Sequence, residues 1–232
     1  MKQGFRILLL FAIVWGTAVP ATPVEMPRLV EDAFKMMESV SLDGWAYTET
    51  TDTNGVITIE RFDPSLPENR QWTLIEKDGR APSSEDLAAY ADDRTGEGGN
   101  HEGDDLREMV DPEGLELIEE TSTYAVYRFR PQADDEDEDD AKIMKHVTGR
   151  LKIVKSLPYV ESLEIRNSKP FSAALLVKMK EFLTRLTYRP IDDQGHVFPH
   201  TVEVKIRGRV LVFKKLREDV SVTYSDYTYL GE

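Results

Sequence analysis

Trp45-Ala46-Tyr47-Thr48-Glu49-Thr50-Thr51, Asp52-Thr53-Asn54-Gly55, Val56-Ile57-Thr58-Ile59-Glu60-Arg61-Phe62 is the stretch on which the fold turns. Two runs rich in β-branched and aromatic residues flank an Asn-Gly pair, and that pair supplies the positive φ angles a tight antiparallel connection needs. The reading is strand, turn, strand. A break from Asp63-Pro64-Ser65 to Pro67 follows, and Gln71-Trp72-Thr73-Leu74-Ile75-Glu76 resumes as a third strand closed by Lys77-Asp78-Gly79. Three strands in such close succession predict a meander.

Upstream, Leu29, Val30, Ala33, Phe34, Met37 and Val40 recur at three- and four-residue spacing, so residues 27–40 read as an amphipathic helix ended by Asp43-Gly44. Downstream, Ser83 followed by Glu85 and Asp86 opens a second, short helix over residues 83–90. Residues 94–105, with four glycines among charges, and the unbroken acids of 134–140 read as solvated, mobile loops. Between them, 115–118 and 123–130 form another predicted hairpin. Residues 149–155 and 159–165 are two more strands, split by Pro158.

The C-terminal part alternates most cleanly: Thr201 to Arg207, Gly208 as a turn, Val210 to Phe213, then Val220 to Tyr224. Valine and isoleucine on one face with Glu, Lys and Arg on the other predict a sheet with one face covered and one face wet. Residues 173–188 are ambiguous. Leu175, Leu176, Met179, Phe182, Leu183 and Leu186 fit a helical stripe, yet the segment runs into Tyr188-Arg189-Pro190-Ile191-Asp192-Asp193-Gln194-Gly195, which reads as a hairpin connection.

The chain opens with Lys2 and Arg6, then an apolar run from Ile7 to Trp15 and small residues to Ala21. That is the layout of a cleavable secretory signal, too short to span a bilayer, with cleavage expected after Ala21 or at Ala18. The expected organisation is therefore a signal peptide over residues 1–21 and a single domain over 22–232, exported to the periplasm, with no transmembrane segment in the mature chain. The sequence contains no cysteine, which removes a disulfide framework, a thiolate zinc site and a lipid-bearing cysteine together. With 29 basic and 43 acidic side chains the net charge is −14, and loss of Lys2 and Arg6 takes it to −16. Such a field repels phosphate-rich partners, so nucleic acid is not an expected partner, although local basic strips remain open.

The order of parts, together with Gly149-Arg150-Leu151-Lys152-Ile153-Val154 and Val197-Phe198-Pro199-His200-Thr201-Val202-Glu203-Val204, resembles the periplasmic lipoprotein-carrier superfamily, the LolA/LolB-like fold. The likeness runs roughly from Pro27 to Leu230. It implies an α+β fold: a curved, mostly antiparallel sheet forming an unclosed β-barrel, with one to three helices covering its concave face. It also implies that residues 173–188 are a strand, and that the sheet encloses a cavity suited to an acyl chain or another apolar ligand.

No catalytic constellation stands out. There is no Gly-x-Ser-x-Gly elbow and no cysteine nucleophile. His196 and His200 stand four apart, but Gly195 and Pro199 make their segment a turn, so neither a zinc site nor any cofactor is expected. The acidic run 134–140 lacks the glycine and spaced ligands of a calcium loop. The residues with a candidate binding role are the strand aromatics Trp45, Tyr47, Trp72, Tyr127 and Phe129, with Met36 and Met37 on the helix expected above them. Methionine and aromatic rings make adaptable apolar pockets, although by residue type alone the plainer reading of the same side chains is an ordinary core. The expectation is a non-enzymatic carrier or binding protein for a lipid, acyl chain or lipoprotein. The alternative is an envelope interaction or sensor module that meets another protein through an exposed sheet face and acidic loops.

Overall fold

The computed structural model describes residues 26–94, 104–132, 142–174, 176–211 and 214–231. The expected signal peptide, most of the 94–105 loop and the acidic run 134–140 lie outside these residues; of the former loop, Arg94 closes one helix and Asp104 opens another. In chain order the elements are α1 (Arg28–Glu38), β1 (Trp45–Thr53), β2 (Val56–Phe62), β3 (Trp72–Lys77), α2 (Ser84–Arg94), α3 (Asp104–Glu108), β4 (Glu116–Glu120), β5 (Tyr124–Phe129), β6 (Val147–Val154), β7 (Tyr159–Asn167), β8 (Phe171–Ala174), β9 (Val177–Pro190), β10 (Val197–Val210) and β11 (Lys214–Tyr229).

The strands form one 11-stranded antiparallel sheet in the order β3-β2-β1-β11-β10-β9-β7-β6-β5-β4, with β8 paired to β9. Its ends, β3 and β4, do not pair with each other, so the sheet is unclosed. The expected hairpins are present. Asn54 and Gly55 form a two-residue turn with φ of 56° and 93°, the mirror-image geometry that matches strand twist. Asp78 and Gly79 repeat it after β3, at φ of 51° and 74°.

Register links the two halves of the sheet. Tyr127, Leu151, Leu163, Leu186, Val202, Val222 and Thr51 stand directly opposite one another on seven successive strands, and such partners share a face. Phe129, Gly149, Ile165, Thr184, Val204, Val220 and Thr53 form the adjacent row. Helix α1 lies on β6 and β7 and buries Val30, Ala33, Phe34 and Met37 there, the stripe its spacing predicted. Under it, Leu151 and Leu163 are completely inaccessible, whereas Leu186, Val202 and Val222 along the same row are only half-buried.

Helix α3 and the turn after it add Leu106 and Val110 to this core. Arg107 ties the two helices, reaching Glu31 at 2.7 Å and Glu38 at 3.1 Å. The other face of the sheet is polar. Arg185 bridges Glu164 on one neighbouring strand, at 2.5 Å, and Glu203 on the other, at 3.2 Å. Burial opposes ionisation of Glu164, but Arg185 and Arg166 together outweigh it and hold the carboxyl below its usual range.

Two expectations are corrected. Gly208 is not a turn: β10 runs straight through it to Val210, and the connection to β11 begins at Leu211. The glycine is needed because a side chain there would stand 2.5 Å from the Lys178 carbonyl oxygen, where β9 bulges against β10. In consequence Lys214 to Tyr229 is one strand of 16 residues rather than two short ones. The ambiguous segment 173–188 contributes to two strands, β8 up to Ala174 and β9 from Val177, so the strand that the resemblance implied prevails over the helix that periodicity suggested.

Gly149 allows the Phe129 ring to lie flat on β6, and a Cβ at that position would meet the ring at 2.2 Å. Since Phe129 is itself 1% exposed, the ring has nowhere to go. Gly149→Ala is expected to destabilise the fold by about 1–3 kcal/mol in denaturant unfolding, with much of the loss recovered in the double variant carrying Phe129→Leu.

The second helix opens on a reciprocal cap: the Ser83 hydroxyl accepts from the Asp86 N–H at 3.2 Å, and the Asp86 carboxylate accepts from the Ser83 N–H at 2.9 Å. Lys77 and Arg80 also bond this carboxylate, at 2.8 and 2.9 Å. Lys77 first, then the Ser83 donors and Arg80, hold the Asp86 carboxyl far below the ordinary aspartate range. A depressed pKa means the contribution is complete above the unfolded-state value of about 3.9 and fades as pH falls. Amide exchange over residues 83–90 should therefore be flat from neutral pH to about pH 4 after correction for intrinsic rates, and rise below it. Asp86→Asn should show the raised exchange already at pH 7.

Candidate functional site

The candidate residues fall into two groups. Met37, Tyr127 and Phe129 belong to the core beneath α1, at 7, 7 and 1% exposure, with Phe34, Leu151, Leu163 and Ile165 around them. Burial pushes the Tyr127 hydroxyl above its usual range. Met36, one residue along α1, is half-buried and stands outside that cluster.

Trp45, Tyr47 and Trp72 lie instead at the β1–β2–β3 end of the sheet. The register sets Tyr47 opposite Phe62 and Phe62 opposite Trp72, and the rings follow, with centroids 5.2 Å apart for the first pair and 5.1 Å for the second. Tyr47 then meets Tyr224 at 6.0 Å and Tyr227 at 5.6 Å. From Tyr227 the contacts pass to Phe198 at 5.1 Å and on to Trp45 at 5.0 Å. The result is one connected aromatic assembly from β3 to β10, with ring separations in the range where edge-to-face and tilted pairs are favourable. Tyr227 anchors it, donating its hydroxyl to the Pro199 carbonyl at 2.7 Å, and burial raises that hydroxyl's pKa.

Helix α1 does not bring the two groups together. Between them, across β9, β10 and β11, runs the half-buried part of the inner rows, carrying Leu186, Val202, Val204, Val220 and Val222. Phe62, Phe198, Tyr224 and Tyr227 join the aromatic group without having been singled out in the sequence. The density of tyrosine at 224, 227 and 229 was the available signal. Tyr188 is the counterpart beside the helix: it packs on the α1 core, and burial lifts its hydroxyl well above the usual range.

The histidine pair has a local structural setting. His196 is tied to Asp192, whose carboxylate also accepts from the N–H groups of Gln194 and Gly195, each at 3.0 Å. Hydrogen bonding to His196 first of all holds the Asp192 carboxyl below its usual range. His196 therefore belongs to a turn, as its glycine and proline neighbours implied. The described residues hold no group of three or more metal-ligating side chains. A depression of about 580 Å³ is lined by Asp52, Glu203, Lys205, Arg217 and Asp219 together with Val204 and Val220. No helix among the described residues is long and apolar enough to cross a membrane.

Compared with known proteins, the chain matches no family model, no curated protein and no solved structure, so its own residues carry the functional reading.

Proposed function

We propose that the protein is a non-enzymatic periplasmic carrier or binding protein that shelters an apolar ligand, a lipid, acyl chain or lipoprotein, against the inner face of its sheet. The observation that carries the reading is the change in burial along a single row of side chains. Leu151 and Leu163 are sealed under α1, while Leu186, Val202 and Val222, on the next three strands, keep part of their surface open. Apolar side chains aligned on one sheet face and left open to solvent form a surface that an apolar guest stabilises by removing it from water. In this reading the sheet curves around a hollow, α1 covers one part of its concave face, and the ligand lies over β9, β10 and β11 between the helix and the aromatic assembly. The likeness to the lipoprotein-carrier fold and the secretory layout of residues 1–21 support the same assignment.

A second reading has its own observation. Strand β4 is exposed at every residue, including Leu117 and Ile118 at 47 and 40%, and it forms one edge of the sheet. An open edge can accept a strand from another protein, which is how an envelope interaction module would engage its partner.

Native mass spectrometry and lipid extraction of protein purified from its own periplasm test the first reading. A co-purifying amphiphile and uptake of a fluorescent fatty-acid probe are the expected results; neither appearing would overturn it. Val202→Thr and Val222→Thr keep strand-forming shape but replace a methyl by a hydroxyl. Each is expected to weaken probe binding about fivefold, near the value of one buried methylene, with little change in melting temperature. Variants that bind the probe as the parent does would place the ligand elsewhere.

A further inference from the structure

The charge of this protein is unevenly laid out. In a chain with 43 acidic side chains, residues 165–180 and 204–217 contain none, yet carry four and six basic ones. The sheet brings these two stretches side by side, because Val177 pairs with Val210 and Val210 with Lys214. Lys178, Arg209 and Lys215 then stand directly opposite one another on three adjacent strands. All three are exposed, and none makes an ion pair among the described residues. The next carboxylates along these strands, Glu181 and Glu218, lie beyond the row, and Asp219 is engaged by Arg207 and Arg217. Like charges in direct cross-strand register destabilise a sheet, and no ion pair among the described residues offsets them here.

Just past this row the strands end in two exposed leucines. Leu176 and Leu211 are each 55% accessible, and the Leu211 N–H donates to the Leu176 carbonyl at 2.7 Å, which holds the two connections together. We infer that this end of the β9–β10–β11 layer is a docking surface for an anionic phospholipid membrane, with Leu176 and Leu211 entering the interface and Lys178, Arg209, Lys214 and Lys215 meeting the headgroups. Apolar tips flanked by cations match the bilayer's own order of acyl region and anionic surface. A nucleic acid would use the cations and leave both leucines in water, whereas a bilayer takes up both. The surface lies apart from the apolar rows of the proposed carrier site and does not depend on that reading.

Co-flotation of the mature chain with phosphatidylcholine vesicles, with and without phosphatidylglycerol, tests it. Binding is expected to the phosphatidylglycerol vesicles only, and to weaken at high salt. The triple variant Lys178→Gln, Arg209→Gln, Lys215→Gln should lose roughly a hundredfold in partitioning, at about fivefold per cation. Its melting temperature should be equal to or above that of the parent, since repulsion is relieved; a merely structural role for the row would give the opposite. Leu176→Ser with Leu211→Ser should also weaken flotation while leaving uptake of the fatty-acid probe unchanged. Equal flotation of parent and triple variant overturns the inference. So does binding to a DNA duplex that the leucine changes do not touch, without binding to vesicles. Failure of probe uptake alone leaves it standing and strikes only the carrier reading.

Discussion

Direct opposition across antiparallel strands governs this molecule. Once the pairs of β5 to β11 are set, every second residue is committed to one face, and a single row runs from Tyr127 through Leu151 and Leu163 to Val222 without changing sides. The helix requires this row, because Val30, Phe34 and Met37 need a continuous apolar surface to lie on. The polar face requires it too, since the same register delivers Arg185 between Glu164 and Glu203. A slip of one residue in any central strand would invert both faces together.

An 11-residue helix is about 16 Å long, roughly the width of three or four strands, while the sheet is ten strands across. Coverage by α1 therefore has to run out. It does so at β9, where burial along the row falls, and the aromatic assembly at the other end is held by ring-to-ring contact rather than by the helix. The open middle of the inner face follows from the proportions of the two elements, whatever occupies it.

Much of the layout was legible in the sequence where local chemistry is strict. The Asn54-Gly55 turn, the Ser83 cap and the stripe of α1 each depend on neighbours close in the chain. Segment 173–188 was misleading for a physical reason. The bulge of β9 against β10 inserts an extra residue at Lys180, so Met179 and Phe182 fall on one face three positions apart, which imitates a helical interval. Gly208 belongs to the same irregularity, and its role there depends on a carbonyl oxygen from another strand. The candidate site was legible only as a list of residue types. That Tyr127 and Phe129 would lie under the helix, and Trp45 and Trp72 in a separate assembly with Phe198 and Tyr227, is decided by strand order, which single-chain periodicity does not contain.

Strand order also places β1 beside β11, so the first hairpin of the domain pairs with the rest of the sheet only through the last strand. Until that final segment is available, the β1–β2–β3 meander has no neighbour, and the edge of β10 stands bare. Completion of the sheet is thus a late, long-range closure, slow in the way that distant pairings are slow, and a polypeptide still emerging from its synthesis machinery is kept from locking prematurely into its finished shape.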